Sequence, residues 1–333
     1  MEETKKTKGN LTIVFLLVII IVLATIGIIY YMNNSAKDNN GNSVENVGRE
    51  ENNQISNEDK TENLKMTAEE FPKVDGATAM LPMIGEITKA VLGYSDEQAQ
   101  KFLDENTQGK TAKVYQGLID GKTNVIFASE PSDDILQTAK KAGVEFEMTG
   151  IGLDGFVFLI NEQNPVKSLT LDQIRGIYTG KITNWKEVGG DDAKIIAYQR
   201  EKNSGSQNLM EKMVMKGEKM TDTANTNLEI GSMSGLIDGV SSQENSKYAI
   251  GYSIYLYAKE QYVKGDVKFL AIDGVEATDE NITNKSYPLT KIVYAITKKS
   301  EPQDSSARKL INWLLTDKGQ KVVEAGGYVR NTK

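Results

Sequence analysis

The chain runs to 333 residues, 39% of them apolar, which leaves room for one large domain or two medium lobes. Its net charge of -7 excludes a general nucleic-acid binder, because phosphate backbones need concentrated Lys and Arg. The absence of Cys and His removes thiol nucleophiles, disulfides, Cys/His zinc sites and a Ser-His-Asp triad together, while carboxylate chemistry and oxygen-liganded metals stay open.

Leu11 to Met32 is a nearly unbroken apolar run of 22 residues, and about 20 such residues span a bilayer as a helix. Lys5, Lys6 and Lys8 precede it, which predicts a cytoplasmic N-terminus (1–10), an uncleaved anchor (11–32) and an outward-facing remainder. A cleaved signal peptide is the rival; its apolar region is shorter, and no clear small-x-small site follows here. Residues 33–66 hold ten Asn among Glu, Ser and Lys. Too little apolar surface is present there to offset the entropy of ordering, so the segment reads as a disordered linker.

From Met66 onward short apolar runs alternate with helical periodicity. Strands are expected at Lys113–Gln116, Asn124–Ala128, Gly155–Ile160, Lys194–Tyr198, Tyr248–Tyr252, Val267–Ile272 and Lys291–Ile296. Leu81, Ile84, Ile87 and Val91 share one helical face. Leu171, Ile174 and Ile177 share another, behind a capping-box pattern of Thr170 and Gln173. Ala307, Leu310, Ile311, Leu314 and Leu315 mark a C-terminal helix. Alternating strands and helices predict an α/β fold with largely parallel sheets, divided into two lobes.

Three segments could carry chemistry. Asp75-Gly-Ala-Thr78 precedes the Leu81–Val91 helix, so Ala77, Thr78 and Ala79 would offer N–H groups at a helix N-terminus, the end that attracts anions. The same pattern also describes an ordinary capped helix. Ser129-Glu130 follows the Asn124–Ala128 strand, at the strand end where α/β folds place ligand sites; a surface acid fits the same residues. Arg200 follows the Lys194–Tyr198 strand, and Ser204-Gly205-Ser206 opens the next helix. There a guanidinium, two hydroxyls and backbone N–H groups could converge on one tetrahedral anion. The segment lacks the Gly-x-x-x-x-Gly-Lys pattern of a P-loop. Asp154-Gly155 and Asp273-Gly274 look like turns, and Trp185 and Trp313 like packing residues.

The order of these segments resembles the phosphate-binding subunits of ABC importers, in the type II periplasmic binding protein class, over nearly all of residues 67–333. The stretches that carry the resemblance are Asn164-Pro-Val-Lys-Ser-Leu-Thr, Ile177-Tyr-Thr-Gly-Lys-Ile-Thr-Asn-Trp-Lys-Glu-Val-Gly-Gly190, Tyr198-Gln-Arg-Glu-Lys-Asn-Ser-Gly-Ser-Gln207 and Gly327-Tyr328-Val329. The resemblance implies two lobes closing on one inorganic phosphate: lobe 1 about 67–157 and 286–333, lobe 2 about 158–285. It implies phosphate contacts from Ala77, Thr78 and Glu130, with Asp75 and Ser129 as further candidates, facing Arg200, Ser204, Gly205 and Ser206. Two departures stand out. The family usually carries Ser at the place of Ala77 and Asp at the place of Glu130. The resemblance further implies importer permease subunits as partners, a monomer, and a cell-membrane location outside a Gram-positive cell, without enzyme activity, metal or cofactor. A tethered oxyanion sensor or adhesin on the same scaffold is the alternative. An enzyme acting on phosphate esters would need several convergent acids, and Glu130 and Asp75 are the candidates for that role.

Overall fold

The computed structural model describes residues 63–222, 229–241, 246–261 and 266–331, all within one compact unit, Ser56–Lys333. The expected anchor and nearly all of the expected linker lie outside the described residues. Among the described residues no helix is long and apolar enough to cross a membrane. Packing begins a little before residue 67. Leu64 and Met66 rest against the core, and the Met66 N–H donates to the Val91 carbonyl at 3.3 Å.

The first pass of the chain forms β1 (Val74–Gly76), α1 (Leu81–Leu92), α2 (Asp96–Asn106), α3 (Thr111–Ile119), β2 (Val125–Ala128), α4 (Asp133–Lys141) and β3 (Phe146–Asn161). In α1 Pro82 sits in the first turn, where its missing donor costs nothing, and Gly93 closes the helix at φ 75°. Of the predicted face Ile84, Ile87 and Val91 are buried, with Met83 beside them, while Leu81 is half-buried. The expected strand at Lys113–Gln116 is instead the middle of α3. Val114, Tyr115, Leu118 and Ile119 recur at helical spacing and are buried on one side.

The second pass forms β4 (Ser168–Leu169), α5 (Leu171–Tyr178), β5 (Ile196–Ala197), β6 (Gln199–Arg200) and α6 (Gly205–Leu209), which continues as π-helix through Met210–Met215. Then come β7 (Glu229–Ile230), α7 (Met233–Ser241), β8 (Ala249–Ile254), α8 (Tyr255–Gln261), β9 (Val267–Phe269), β10 (Ala271–Ile272) and α9 (Asp279–Thr283). The Thr170/Gln173 capping box forms on α5 as expected. Trp185 is fully buried. The chain returns through β11 (Thr290–Lys298), α10 (Ser306–Leu314), α11 (Asp317–Ala325) and β12 (Val329–Arg330).

Two apolar cores result. One gathers Phe71 to Ile151 with Val293 to Tyr328 and Leu256; the other runs from Leu153 to Leu289 with Ala79. The chain therefore crosses between lobes near residues 151–153 and 289–293. That is a few residues from the expected boundaries at 157 and 286. The main sheet has the order β1-β2-β11-β3-β8-β5. Its outer pairs are parallel: Gly76 sits beside Phe127, and Ala249 beside Ile196. The inner pairs β2–β11, β11–β3 and β3–β8 are antiparallel, which corrects the largely parallel expectation. The reason is topological. β3 carries the chain out of the first lobe and β11 carries it back, so as neighbours they must run in opposite directions.

Candidate functional site

A cleft of about 370 Å³ lies between the lobes. On the first-lobe side, β1 ends at Gly76. A side chain there would collide with Ile84, with its Cβ only 2.6 Å from Cδ1, so glycine lets the strand sit tight on α1. The Ala77 N–H donates to the Phe127 carbonyl at 2.9 Å, so the sheet uses this donor. Thr78 and Ala79 begin a 3₁₀ turn, and their N–H groups sit at its open end. The Thr78 hydroxyl donates to the Gly109 carbonyl. Lys110, Thr111 and Lys113, at the start of α3, complete this wall. Sequence reading missed them because it took this helix for a strand.

Asp75 does not line the cleft. It is 1% exposed and accepts from the N–H groups of Gly76 at 2.7 Å and Gln108 at 3.0 Å. Burial pushes its carboxyl up, and these N–H groups oppose the shift. Its work is to fasten the 108–109 turn beside β1. Ser129 lies on the cleft wall, and its carbonyl accepts from the Tyr115 hydroxyl at 2.7 Å. Glu130 is turned away from the cleft. Its carboxylate is 48% exposed, 3.2 Å from Lys212 Nζ, and accepts from the Tyr294 hydroxyl at 3.3 Å. The two donors outside the cleft account for its direction.

The second-lobe wall is built around Arg200. Parallel pairing of β6 with β7 sets Arg200 beside Ile230. The Arg200 N–H donates to the Tyr252 hydroxyl at 2.9 Å, and that hydroxyl in turn donates to the Gln207 side chain. Tyr252 packs among Phe156, Phe158 and Tyr178 with ring centroids 5.6 to 6.1 Å apart, so the floor under Arg200 is rigid. The guanidinium donates from Nε to the Ile230 carbonyl at 2.9 Å, from Nη2 to the Gly231 carbonyl at 3.4 Å and from Nη1 to Ser206 Oγ at 3.2 Å. A guanidinium has five N–H donors, so one on Nη1 and one on Nη2 are left over.

Arg200 is 6% exposed, and among the described residues no carboxylate lies within ion-pair distance of it. Burial lowers its pKa from the ordinary value, yet a guanidinium stays charged in proteins. Beside it Ser204 caps α6, accepting from the Gln207 N–H at 3.3 Å, which leaves the Gly205 and Ser206 N–H groups at the open end of the helix. Arg200, Ser204, Gly205 and Ser206 thus come together as the sequence suggested, across from Thr78 and Ser129.

The lobes also touch along the rim of the cleft. Lys110 Nζ lies 3.5 Å from Glu201, Lys202 Nζ 2.7 Å from Asp134, and Lys212 Nζ 2.8 Å from the Pro131 carbonyl. The Ser132 hydroxyl donates to Asn203 Oδ1 at 2.9 Å. Gly205 sits so close to the facing lobe that a Cβ there would lie 3.0 Å from Thr111 Oγ1. Among the described residues no group of three or more carboxylates is placed to hold a metal ion.

A two-lobed α/β unit with a cation-lined cleft is the form of a solute-binding protein, and the comparisons with known proteins agree. The model of the PBP superfamily domain matches residues 29–318. The chain belongs to that superfamily. Among similar proteins in the superfamily is the phosphate-binding protein PstS of Borreliella burgdorferi, 24% identical over 267 residues, 78% of this chain and 90% of that one. The PstS of Staphylococcus epidermidis is 28% identical over 269 residues, 78% of this chain and 79% of that one. A structure from Clostridium perfringens, described as a phosphate ABC transporter substrate-binding protein with bound phosphate, aligns with a TM-score of 0.59 at 29% identity. It covers 78% of this chain and 98% of its own. An ABC-type phosphate transport receptor from Vibrio cholerae shares the fold, with a TM-score of 0.57 at 23% identity over 78% of this chain and 99% of its own.

Proposed function

We propose that this protein captures phosphate outside the cytoplasm and delivers it to an ABC importer. The observation that carries the reading is Arg200. A buried cation with no carboxylate at ion-pair distance among the described residues is costly, and an anion entering the cleft offsets that cost. Two spare guanidinium N–H groups can take two oxygens of one tetrahedral ion in a forked bond. The hydroxyls of Ser204 and Ser206 and the N–H groups of Gly205 and Ser206 serve the same ion from the second lobe. Thr78, Ser129 and the N-terminal end of α3 serve it from the first. Ala77 contributes shape, since its N–H is used by the sheet. No bond is made or broken; the protein binds and releases.

The names of the similar proteins support phosphate as the ion and an importer as the partner. The Leu11–Met32 run and its flanking Lys residues support a single-pass tether with the binding unit on the outer face of the membrane. The proposed binding unit is a monomer. Equilibrium dialysis of ligand-stripped protein against radiolabelled phosphate tests the reading. One saturable site per chain is expected, and no retention above a protein-free control would overturn it. Phosphate uptake by cells lacking the protein distinguishes an importer subunit from a tethered sensor: uptake falls for the former and is unchanged for the latter.

A further inference from the structure

The cleft holds more than a five-atom ion uses. Beyond the carbonyls of Ile230 and Gly231 that hold the Arg200 guanidinium, its wall continues through Ser232, Met233, Ser234, Ile254 and Tyr257, with Met80 from the first lobe. The Ser232 hydroxyl accepts from the Gly235 N–H at 3.0 Å and from the Ser234 hydroxyl at 3.4 Å, and Tyr257 lies on the same wall. Hydroxyls and apolar side chains therefore alternate next to the cation. A volume of about 370 Å³ belongs with the roughly 300–1,000 Å³ of sites for small organic molecules.

The charge balance points the same way. Inorganic phosphate keeps at least one proton near neutral pH, and a site selective for it gains from an acceptor-only carboxylate facing that proton. Among the described residues that line the cleft the one carboxylate is Glu201, which is paired with Lys110. Glu130 and Asp75 are engaged elsewhere. A phosphomonoester has its second pKa near 6, so at pH 7 it is mostly a dianion with no proton to place.

We propose that the cleft takes a small phosphomonoester whose substituent carries hydroxyl groups, in preference to inorganic phosphate. The inference rests on the phosphate-binding reading, since Arg200 and Ser204–Ser206 hold the phosphoryl group in both cases. The ester's substituent lies along Ser232, Ser234 and Tyr257, with its methylenes against Met80, Met233 and Ile254. Each methylene buried there is worth about fourfold in affinity.

The test is a calorimetric titration of the ligand-stripped full chain with inorganic phosphate, glycerol 3-phosphate and free glycerol. Glycerol 3-phosphate is expected to bind about tenfold more tightly than inorganic phosphate, the gain of two to three hydrogen-bonded or apolar contacts. Free glycerol is expected to give no heat. Tyr257→Phe and Ser234→Leu are expected to lower the glycerol 3-phosphate affinity about fivefold more than that of inorganic phosphate. If inorganic phosphate binds and glycerol 3-phosphate binds more weakly, or if neither variant moves the ratio, the inference fails and the phosphate-binding reading stands. If neither anion binds, both fail.

Discussion

Arg200 carries a buried charge with no carboxylate at ion-pair distance among the described residues, Glu201 acting on it only from farther away, and single substitutions near it should separate charge from shape. Arg200→Lys keeps the cation but loses the fork, so phosphate affinity should fall at least about tenfold and still exceed that of Arg200→Ala, as read by titration. Glu130 makes a contrasting prediction. Sequence reasoning placed it on the ion because it follows a strand that ends at the cleft and stands where relatives usually carry Asp. The backbone of Ser129 does reach the cleft, but Lys212 and Tyr294 draw the next carboxylate outward. Glu130→Gln should therefore change phosphate affinity by less than about fivefold, the effect of losing one exposed ion pair. The ratio of phosphate to sulfate affinity should stay constant in the same titrations.

Legibility in the sequence followed the same division. The Arg200 to Ser206 segment was readable because a strand, a Ser-Gly-Ser turn and a helical face follow one another within a few residues. The direction of a side chain depends on distant partners. The partners of Glu130 lie 82 and 164 positions away, so no local pattern could report its orientation.

At the level of elements, β3 and β11 carry the chain between the two cores. Sequence periodicity found Gly155–Ile160, the fully apolar half of β3, and passed over Phe146–Leu153, where Glu147, Thr149 and the glycines dilute the pattern. It also read Asp154-Gly155 as a turn, since that pair usually bends a chain. Here the pair sits inside the strand. Asp154 is 3.4 Å from Lys291 of β11, their side chains being 1% and 3% exposed, at the point where both strands pass between lobes. Asp154 also accepts from the N–H groups of Gly155 and Leu256 at 2.7 and 3.2 Å. Burial pushes the Asp154 carboxyl up and the Lys291 ammonium down, and each charge partly restores the other. Lys291→Met leaves a buried carboxylate unpaired and should cost about 3–5 kcal/mol of stability in denaturant unfolding. The double variant Asp154→Asn, Lys291→Met should recover most of that loss, because the amide oxygen can still accept both N–H groups and no buried charge remains. A double variant as unstable as the single one would show that the pair holds the two strands by more than mutual neutralisation.

At the level of the whole molecule, two lobes reached by two crossing strands can close only by flexing those strands, and one small ion must be touched from both sides. Along the rim, Lys202 to Asp134 and Lys212 to Pro131 and Glu130 bridge the lobes. The double reversal Lys202→Glu, Lys212→Glu sets like charges against each other there. It should speed phosphate release in stopped-flow displacement and enlarge the particle in solution scattering, with Arg200 and its partners unaltered. Release and size matching the native protein would mean that closure rests on the ion alone. The central claim is that Arg200 holds a phosphate in the cleft, and paired calorimetric titrations of ligand-stripped native protein and Arg200→Ala with phosphate test it most directly. Truncating one member of a desolvated charge pair costs roughly 2–5 kcal/mol, so the variant should bind about 30-fold to several thousand-fold more weakly while still unfolding cooperatively; equal affinities in the two proteins would contradict the account.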